Sequence, residues 1–312
     1  KLALTGTPIE NRLSELWSIF DYLMPGFLYT YQKFREEIEL PIAVNQDANK
    51  MERLQRMIRP FILRRLKGDV LKDLPEKIEE NVFARLDGEQ MQLYDAYATR
   101  MKEMLSQQNE KEFHKGRMQI LSELTKLRQL CCDPALVYEN YEGGSAKLDL
   151  CIELIQSAVE SGHKILLFSQ FTSMIEILTA RLQEESISYF VLQGSTKKEQ
   201  RAQMVEQFNR DDTSVFCISL KAGGTGLNLT GADIVIHYDP WWNVAAQNQA
   251  TDRAHRIGQR NTVTVYDLIA ENTIEEQIKK LQESKSALAE EILSGEGIQS
   301  IVLDRDEILK ML

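Results

Sequence analysis

Gln249, Arg253 and Arg256 stand in the stretch DPWWNVAAQNQATDRAHRIGQ, residues 239–259. A helix over 243–256 would place them at i, i+4 and i+7, on one face. Two guanidinium groups on one face can clamp a phosphate through charge-assisted hydrogen bonds. The same spacing also suits a solvated charged face with Asp252 beside the arginines, and both readings stay open. Trp241 and Trp242 suit either a core or a rigid prop between the arginine helix and a bound polymer. His255 has no second ligand at metal spacing, so it reads as a satisfied or helix-surface histidine.

A second stretch, SLKAGGTGLNLTGAD (219–233), follows an apolar run and carries Gly223, Gly224 and Gly226. Glycines let backbone N–H groups approach a phosphate closely. No GKT or GKS follows, so this is not a Walker loop, and GxGxxG is not matched. Glycine content alone does not raise the phosphate reading above a tight strand-to-helix turn. A third set, in FSQFT (168–172) and LQGST (192–196), offers Ser169, Gln170, Thr172, Ser195 and Thr196. Such small donors contact nucleic-acid phosphates without reading bases. They are also the preferred helix N-caps, and the two uses are compatible. Neither a Ser-His-Asp, a Cys-His nor a paired-carboxylate constellation stands out. The four cysteines, Cys131, Cys132, Cys151 and Cys217, form no CxxC pair. They fit buried reduced thiols, not a zinc site or a disulfide framework.

The elements that must position these groups alternate. From residue 147 onward, helices separate the apolar runs KILLFS, SYFVLQ, SVFCIS, ADIVIHYD and TVTVYDLI. That pattern predicts a parallel sheet covered on both faces, with ligand groups at the C-terminal strand ends. KIEENVFARL (77–86) reads as a further strand and 89–130 as amphipathic helix. Upstream, 10–24 puts Leu13, Leu16, Trp17, Phe20 and Leu23 on one helical face, and Pro25-Gly26 stops it. Residues 31–66 read as helices broken at Pro41 and Pro60. The opening KLALTGTP has no Met and is already apolar; residues 2–5 are expected to end a buried strand whose partners lie upstream. No apolar run is long enough to span a bilayer.

Net charge is −10 over 312 residues. A stand-alone nucleic-acid binder usually has the opposite sign, so any such contact must use local donors.

Taken together, LTGTP, LRRLKGDVLKDLPEK, LRQLCCDPAL, FSQFT, LQGSTKKEQR, LKAGGTGLNLTGAD and DPWWNVAAQNQATDRAHRIGQ occur in one order. In that order the chain resembles the C-terminal half of a SWI/SNF-type ATPase, in the superfamily-two helicase group, over essentially its whole length. The resemblance implies an α/β fold: a RecA-like parallel sheet flanked by helices, with mostly helical segments N-terminal and inserted. It implies that 1–8 ends a first RecA-like lobe and 9–70 is a helical protrusion with the interlobe connector. Residues 71–275 would be the second lobe with a helical insertion at 89–137, and 276–312 an amphipathic helical brace packing back across the lobes.

The resemblance also assigns roles. Arg253 and Arg256 match finger arginines and Gln249 the glutamine of that motif, as the catalytic set. Gly224, Gly226, Arg253 and Arg256 would bind ATP, whose Mg2+ sits mainly in the first lobe; no metal site is expected here. Thr5, Gly6, Thr7, Ser169, Gln170, Ser195, Thr196, Lys221, Gly223 and Trp241 would face double-stranded DNA or couple it to the nucleotide. Expected partners are that DNA, the first RecA-like lobe of the same chain and a DNA-bound protein cargo, with no membrane.

Two positions depart from the family pattern: Val244 stands where proline is usual in WWNP, and CCDP replaces CNHP. Both look more like the bacterial branch, which implies a cytoplasmic, nucleoid-associated protein; a eukaryotic one would be nuclear. The 312 residues hold no P-loop lysine and no Asp-Glu box, so this chain alone is not expected to hydrolyse ATP. The rival readings are a DNA- or protein-docking scaffold, which the absence of an upstream GxxxxGK[ST] and Asp-Glu pair would support and their presence would weigh against, and an RNA-directed helicase lobe, against which Trp241-Trp242-Asn243 argues.

Overall fold

A computed structural model describes residues 1–5, 9, 13–45, 47–63, 71–223, 226–283 and 305–312. The chain forms two compact units. One comprises Lys1–Lys67, Trp242–Ala245 and Lys279–Asp304; the other comprises Gly68–Trp241, Ala246–Ile278 and Arg305–Leu312.

The first unit is helical. Helix α1 (Leu13–Leu23) buries Leu13, Leu16 and Phe20, with Trp17 half-buried, because these positions recur at helical spacing. Gly26, at φ +81°, takes the chain out of the helix end. A short α2 (Tyr31–Phe34) runs into a π-helical turn (Arg35–Glu39) and then α3 (Leu40–Asn45). Pro41 was expected to break this helix; instead it lies inside α3. The π turn, in which the Leu40 N–H donates to the Arg35 carbonyl, precedes it and accommodates the missing N–H and the ring. Helix α4 (Ala48–Ile58) starts on an Asp47 cap and gives way to a 3₁₀ turn at Pro60. Phe20, Phe34, Ile38, Ile42 and Leu54 share one core, each worth about 1.5–3 kcal/mol on full burial. Residues 2–5 form no strand: Leu2 is 90% and Leu4 100% exposed, and no strand among the described residues pairs with them.

The second unit is built on a six-stranded, all-parallel sheet. Its strands are β1 (Lys77–Ala84), β2 (Ile165–Ser169), β3 (Tyr189–Leu192), β4 (Val215–Ser219), β5 (Ile234–His237) and β6 (Val263–Ala270), in the order β1-β6-β5-β2-β4-β3. Strands β2, β4 and β5 are buried at every residue, which is why they read as unbroken apolar runs. Side chains alternate between two cores. Ile165 and Leu167 join helices α7 (Ala146–Glu160) and α8 (Thr172–Glu184) through Ile155 and Leu178. Leu166 and Phe168 join α9 (Lys198–Phe208) and α11 (Val244–Thr251) through Phe208 and Ala250. The chain leaves β2 toward β3 and leaves the neighbouring β5 toward β6, on opposite sides. The β2–β5 junction is therefore a topological switch point, where open α/β sheets bind ligands.

Two long helices, α5 (Gly88–Gln107) and α6 (Glu110–Cys132), form an inserted hairpin. Asn109 and Glu112 close a capping box between them. A short α10 (Leu220–Gly223) follows β4, and a helix over 274–283, α12, follows β6. The last helix, α13 (Arg305–Met311), packs on α5: the Arg305 guanidinium donates to the Leu105 carbonyl (2.9 Å) and the Ser106 carbonyl (3.0 Å). Residues 284–304 of the expected brace lie outside the described residues.

Candidate nucleotide and nucleic-acid interface

Parallel strands carry all their C-terminal ends to one edge of the sheet. Ser169 ends β2 there, in register with Ser219 of β4. The Ser169 hydroxyl donates to Asp239 Oδ2 (2.5 Å) and accepts from the Phe171 N–H (3.1 Å). The Gln170 N–H reaches the same carboxylate, at 3.2 and 3.3 Å. Asp239 is fully buried, and burial pushes its carboxyl above the usual range, opposed by Arg128 and the Ser169 bond. Arg128, from α6, lies 4.0 Å from Asp239 Oδ1. It donates to Gln170 Oε1 (3.0 Å) and to the Pro240 carbonyl. Its guanidinium carbon sits 5.7 Å from the Phe171 ring centre. One cation from the inserted hairpin thus ties the loop after β2 to the loop after β5.

A second arginine makes the same kind of tie between β3 and β4. Arg201 of α9 donates to the Gln193 carbonyl after β3 (3.3 Å) and the Ala222 carbonyl after β4 (3.5 Å). Ser195 is exposed and Thr196 half-buried on the loop after β3. The Thr196 hydroxyl accepts from the Gln193 N–H (3.1 Å). It closes that turn and does not cap α9, whose cap is Lys197. Trp241 is half-buried against the core that holds Phe168, and its N–H reaches Gln247 Oε1 (3.4 Å).

Beneath α11 lies a buried polar row. Gln247 Nε2 donates to Asp267 (2.8 Å), and His237 Nε2 pairs with Thr251 Oγ1 (2.9 Å). This turns Gln247 and Thr251 inward and leaves Gln249 half-buried on another side.

The arginine segment is not the helix expected over 243–256. Helix α11 ends at Thr251. The N–H groups of Arg253 and Ala254 bond the carbonyls of Ala250 and Thr251, tightening the end into i→i−3 turns. The Arg253 carbonyl is then taken by the Leu229 N–H (3.0 Å). Gln259 Nε2 takes the Ala254 carbonyl (3.2 Å) along with those of Thr230 and Ala232. Carbonyls so engaged cannot extend the helix, and Gly258, at φ +104°, reverses the chain. Gln249, Arg253 and Arg256 therefore do not form one helical face. The same bonds lay the arginines on the segment 226–232, and Arg256 Nη1 donates to the Leu227 carbonyl (3.2 Å). Gly226 is exposed there at φ +46°, a conformation that favours glycine.

This corner suits a polyanion. Arg253 is half-buried, and burial and then Arg256 depress its guanidinium pKa, against Asp252. Two cations that feel each other gain from a phosphate between them. His255 is buried and bonds the Pro75 carbonyl (2.8 Å), a satisfied histidine and not a helix-surface one. Among the described residues no group of three His, Cys, Asp or Glu could hold a metal ion.

The structure thus gathers Ser169, Gln170 and Trp241 at the β2–β5 ends, with Ser195 and Thr196 on the loop after β3. It gathers Arg253, Arg256 and Gly226 at the turn after α11. Ser169 is buried and committed to Asp239, so it shapes the loop and does not itself touch a ligand. Thr5 is exposed in the other unit. Gly6, Thr7 and Gly224 lie outside the described residues, and for Lys221 and Gly223 only the backbone of α10 is described. Sequence reasoning missed Arg128, Arg201 and Asp239. Their signal was adjacency: each falls inside a motif stretch, LRQLCCDPAL, LQGSTKKEQR or DPWWN.

Residues 1–136 match the SNF2-related domain and 146–258 the helicase conserved C-terminal domain. The putative ATP-dependent helicase/translocase YwqA of Bacillus subtilis is 41% identical over 306 residues, covering 95% of this chain and 33% of that protein. The chain spans about a third of the length of such curated relatives, 29 to 33%. Among solved structures, the Sulfolobus solfataricus SWI2/SNF2 ATPase core in complex with dsDNA superposes with TM-score 0.60 at 37% identity, covering 94% of this chain and 62% of that one. The Sulfolobus solfataricus SWI2/SNF2 ATPase C-terminal domain gives 0.58 at 30%, covering 76% of this chain and 95% of that one. The chain belongs to the SWI2/SNF2 ATPase family.

Proposed function

We propose that this chain is the second motor lobe of an ATP-dependent double-stranded-DNA translocase. The observation that carries it is the Arg253–Arg256 corner, two neighbouring cations held on the 226–232 segment by the Leu229 N–H to Arg253 carbonyl bond and the Arg256 Nη1 to Leu227 carbonyl bond. In this role the arginines neutralise charge developing on the γ-phosphate of an ATP bound, with its Mg2+, by a first RecA-like lobe of the full-length protein. Such fingers are worth roughly 10³–10⁵ in rate where they have been dissected. Gln249 and the 224–226 glycines complete the nucleotide side; the loops bearing Gln170, Ser195, Thr196, Lys221 and Trp241 face DNA. Hydrolysis then depends on the lobes closing, a conformational step.

Double-stranded DNA as the track is supported by the solved relative bound to dsDNA. The test is ATP hydrolysis by the full-length protein with double-stranded DNA, with RNA and with neither. Stimulation by double-stranded DNA alone is expected, and this chain by itself should hydrolyse nothing, since it holds no GxxxxGK[ST]. Stimulation by RNA instead would favour the RNA-helicase reading. DNA binding without turnover in the full-length protein would favour a docking scaffold.

A further inference from the structure

We infer that Arg128 is a positioning residue through which the inserted α5–α6 hairpin sets the loops after β2 and β5; its effect on DNA rests on the function proposed above. Arg128 is only 3% exposed, yet it comes from outside the alternating strand-helix pattern. Four of its contacts converge on one place: Gln170 Oε1, the Pro240 carbonyl, the Asp239 carboxylate and the face of Phe171. These are the two loops that flank the topological switch point.

The chemistry of the contact fixes an orientation. A guanidinium has donors and no acceptor, so the Gln170 side chain must turn its oxygen to Arg128. Its Nε2 then points away, and that buried nitrogen has no hydrogen-bond partner among the described residues. A buried donor left without an acceptor calls for an explanation. Arg128 supplies one: it holds the Gln170 amide with its donor end left for an acceptor that the described residues do not provide, such as a backbone phosphate. The same cation opposes the cost of burying Asp239, whose carboxylate anchors Ser169 Oγ and the Gln170 N–H.

Lysine cannot reproduce this. A single ammonium on a flexible stem cannot reach Gln170, Pro240 and Asp239 together as a planar fork does. Removing the charge altogether takes from the buried Asp239 the cation that most opposes its burial and leaves only the weaker pull of Lys147, which is destabilising in its own right. A second change, Asp239→Asn, removes that penalty, and Asp239→Asn alone serves as the control for the anchoring of Ser169 Oγ and the Gln170 N–H that it weakens.

The test compares wild type, Arg128→Lys, Arg128→Met, Asp239→Asn and Arg128→Met/Asp239→Asn, the effect of Arg128 being read from the double variant against Asp239→Asn. Amide exchange is read in this chain and DNA-stimulated hydrolysis in the full-length protein. In Arg128→Met the Gln170 and Phe171 amides should exchange at least roughly tenfold faster, as expected for a lost charged hydrogen bond. Leu167 and Ile236, inside the sheet, should keep their protection. The half-saturating DNA concentration should rise by roughly tenfold or more. The lysine variant should fall between, and the double variant should recover melting temperature but not the DNA response. Recovery of both in the double variant would reduce Arg128 to a stability role and overturn the inference. So would protection lost evenly across the sheet, or an unchanged Gln170 amide. If the wild-type protein shows no DNA response, the proposed function fails, and the exchange data alone still decide the role of Arg128.

Discussion

At the scale of single residues, side-chain type was legible in the sequence but commitment was not. Arg253 and Arg256 were visible as paired cations; nothing in their spacing announced that the Leu229 N–H and Gln259 would take the carbonyls they stand on. Ser169 has the hydroxyl of a phosphate contact, yet Asp239, far along the chain, claims it. Long-range partners of this kind leave no periodic trace. The buried ion pair Lys147–Glu275 (2.5 Å) is another example, joining the start of α7 to the start of α12. Burial, the largest single effect, would depress the Lys147 pKa, but Glu275 together with Cys132 and Asp239 outweighs it and the net shift is upward. Lys147→Met should therefore destabilise the chain by about 3–5 kcal/mol, since it strands a buried carboxylate. Lys147→Met/Glu275→Leu should recover much of that loss in chemical denaturation. A fully stable single variant would show that the pair contributes nothing.

At the scale of elements, the central strands were legible because both their faces are buried, so composition alone marks them. Helix ends were not. Pro41 looked like a break and is accommodated by a π turn, and α11 stops well short of its sequence pattern. Gly258 makes the second point testable. A Cβ there meets nothing nearer than Thr230 at 3.9 Å, so the cost of Gly258→Val is backbone strain at φ +104°, on the order of 1–3 kcal/mol. Denaturation midpoints of the two chains give the cost; equal midpoints would mean the turn tolerates a side chain. The hairpin offers a pH test. The Tyr97 hydroxyl donates to Glu123 across α5 and α6, and this bond holds the Glu123 carboxyl below its ordinary value, against burial. A depressed folded pKa gives stability that is present above the unfolded value of about 4.3 and is lost as pH falls through the folded value. Between pH 7 and pH 3 the melting temperature of wild type should fall further than that of Glu123→Gln. Parallel curves would remove this bond from the stability of the hairpin.

At the scale of the molecule, a net charge of −10 and the proposed DNA-facing edge are compatible only if attraction is local. The chain alone should bind double-stranded DNA weakly, with affinity falling steeply as salt rises, because few phosphate contacts act against an acidic background. Binding isotherms at several salt concentrations measure this, and tight, salt-insensitive binding would contradict it. The central claim is that the Arg253–Arg256 corner completes a nucleotide site in the full-length protein. The most direct measurement is DNA-stimulated ATP hydrolysis by that protein beside its Arg256→Ala variant, with DNA binding followed in parallel. The account predicts a loss of turnover of roughly 10³-fold or more with DNA binding nearly intact. Near-normal turnover in the variant would contradict it.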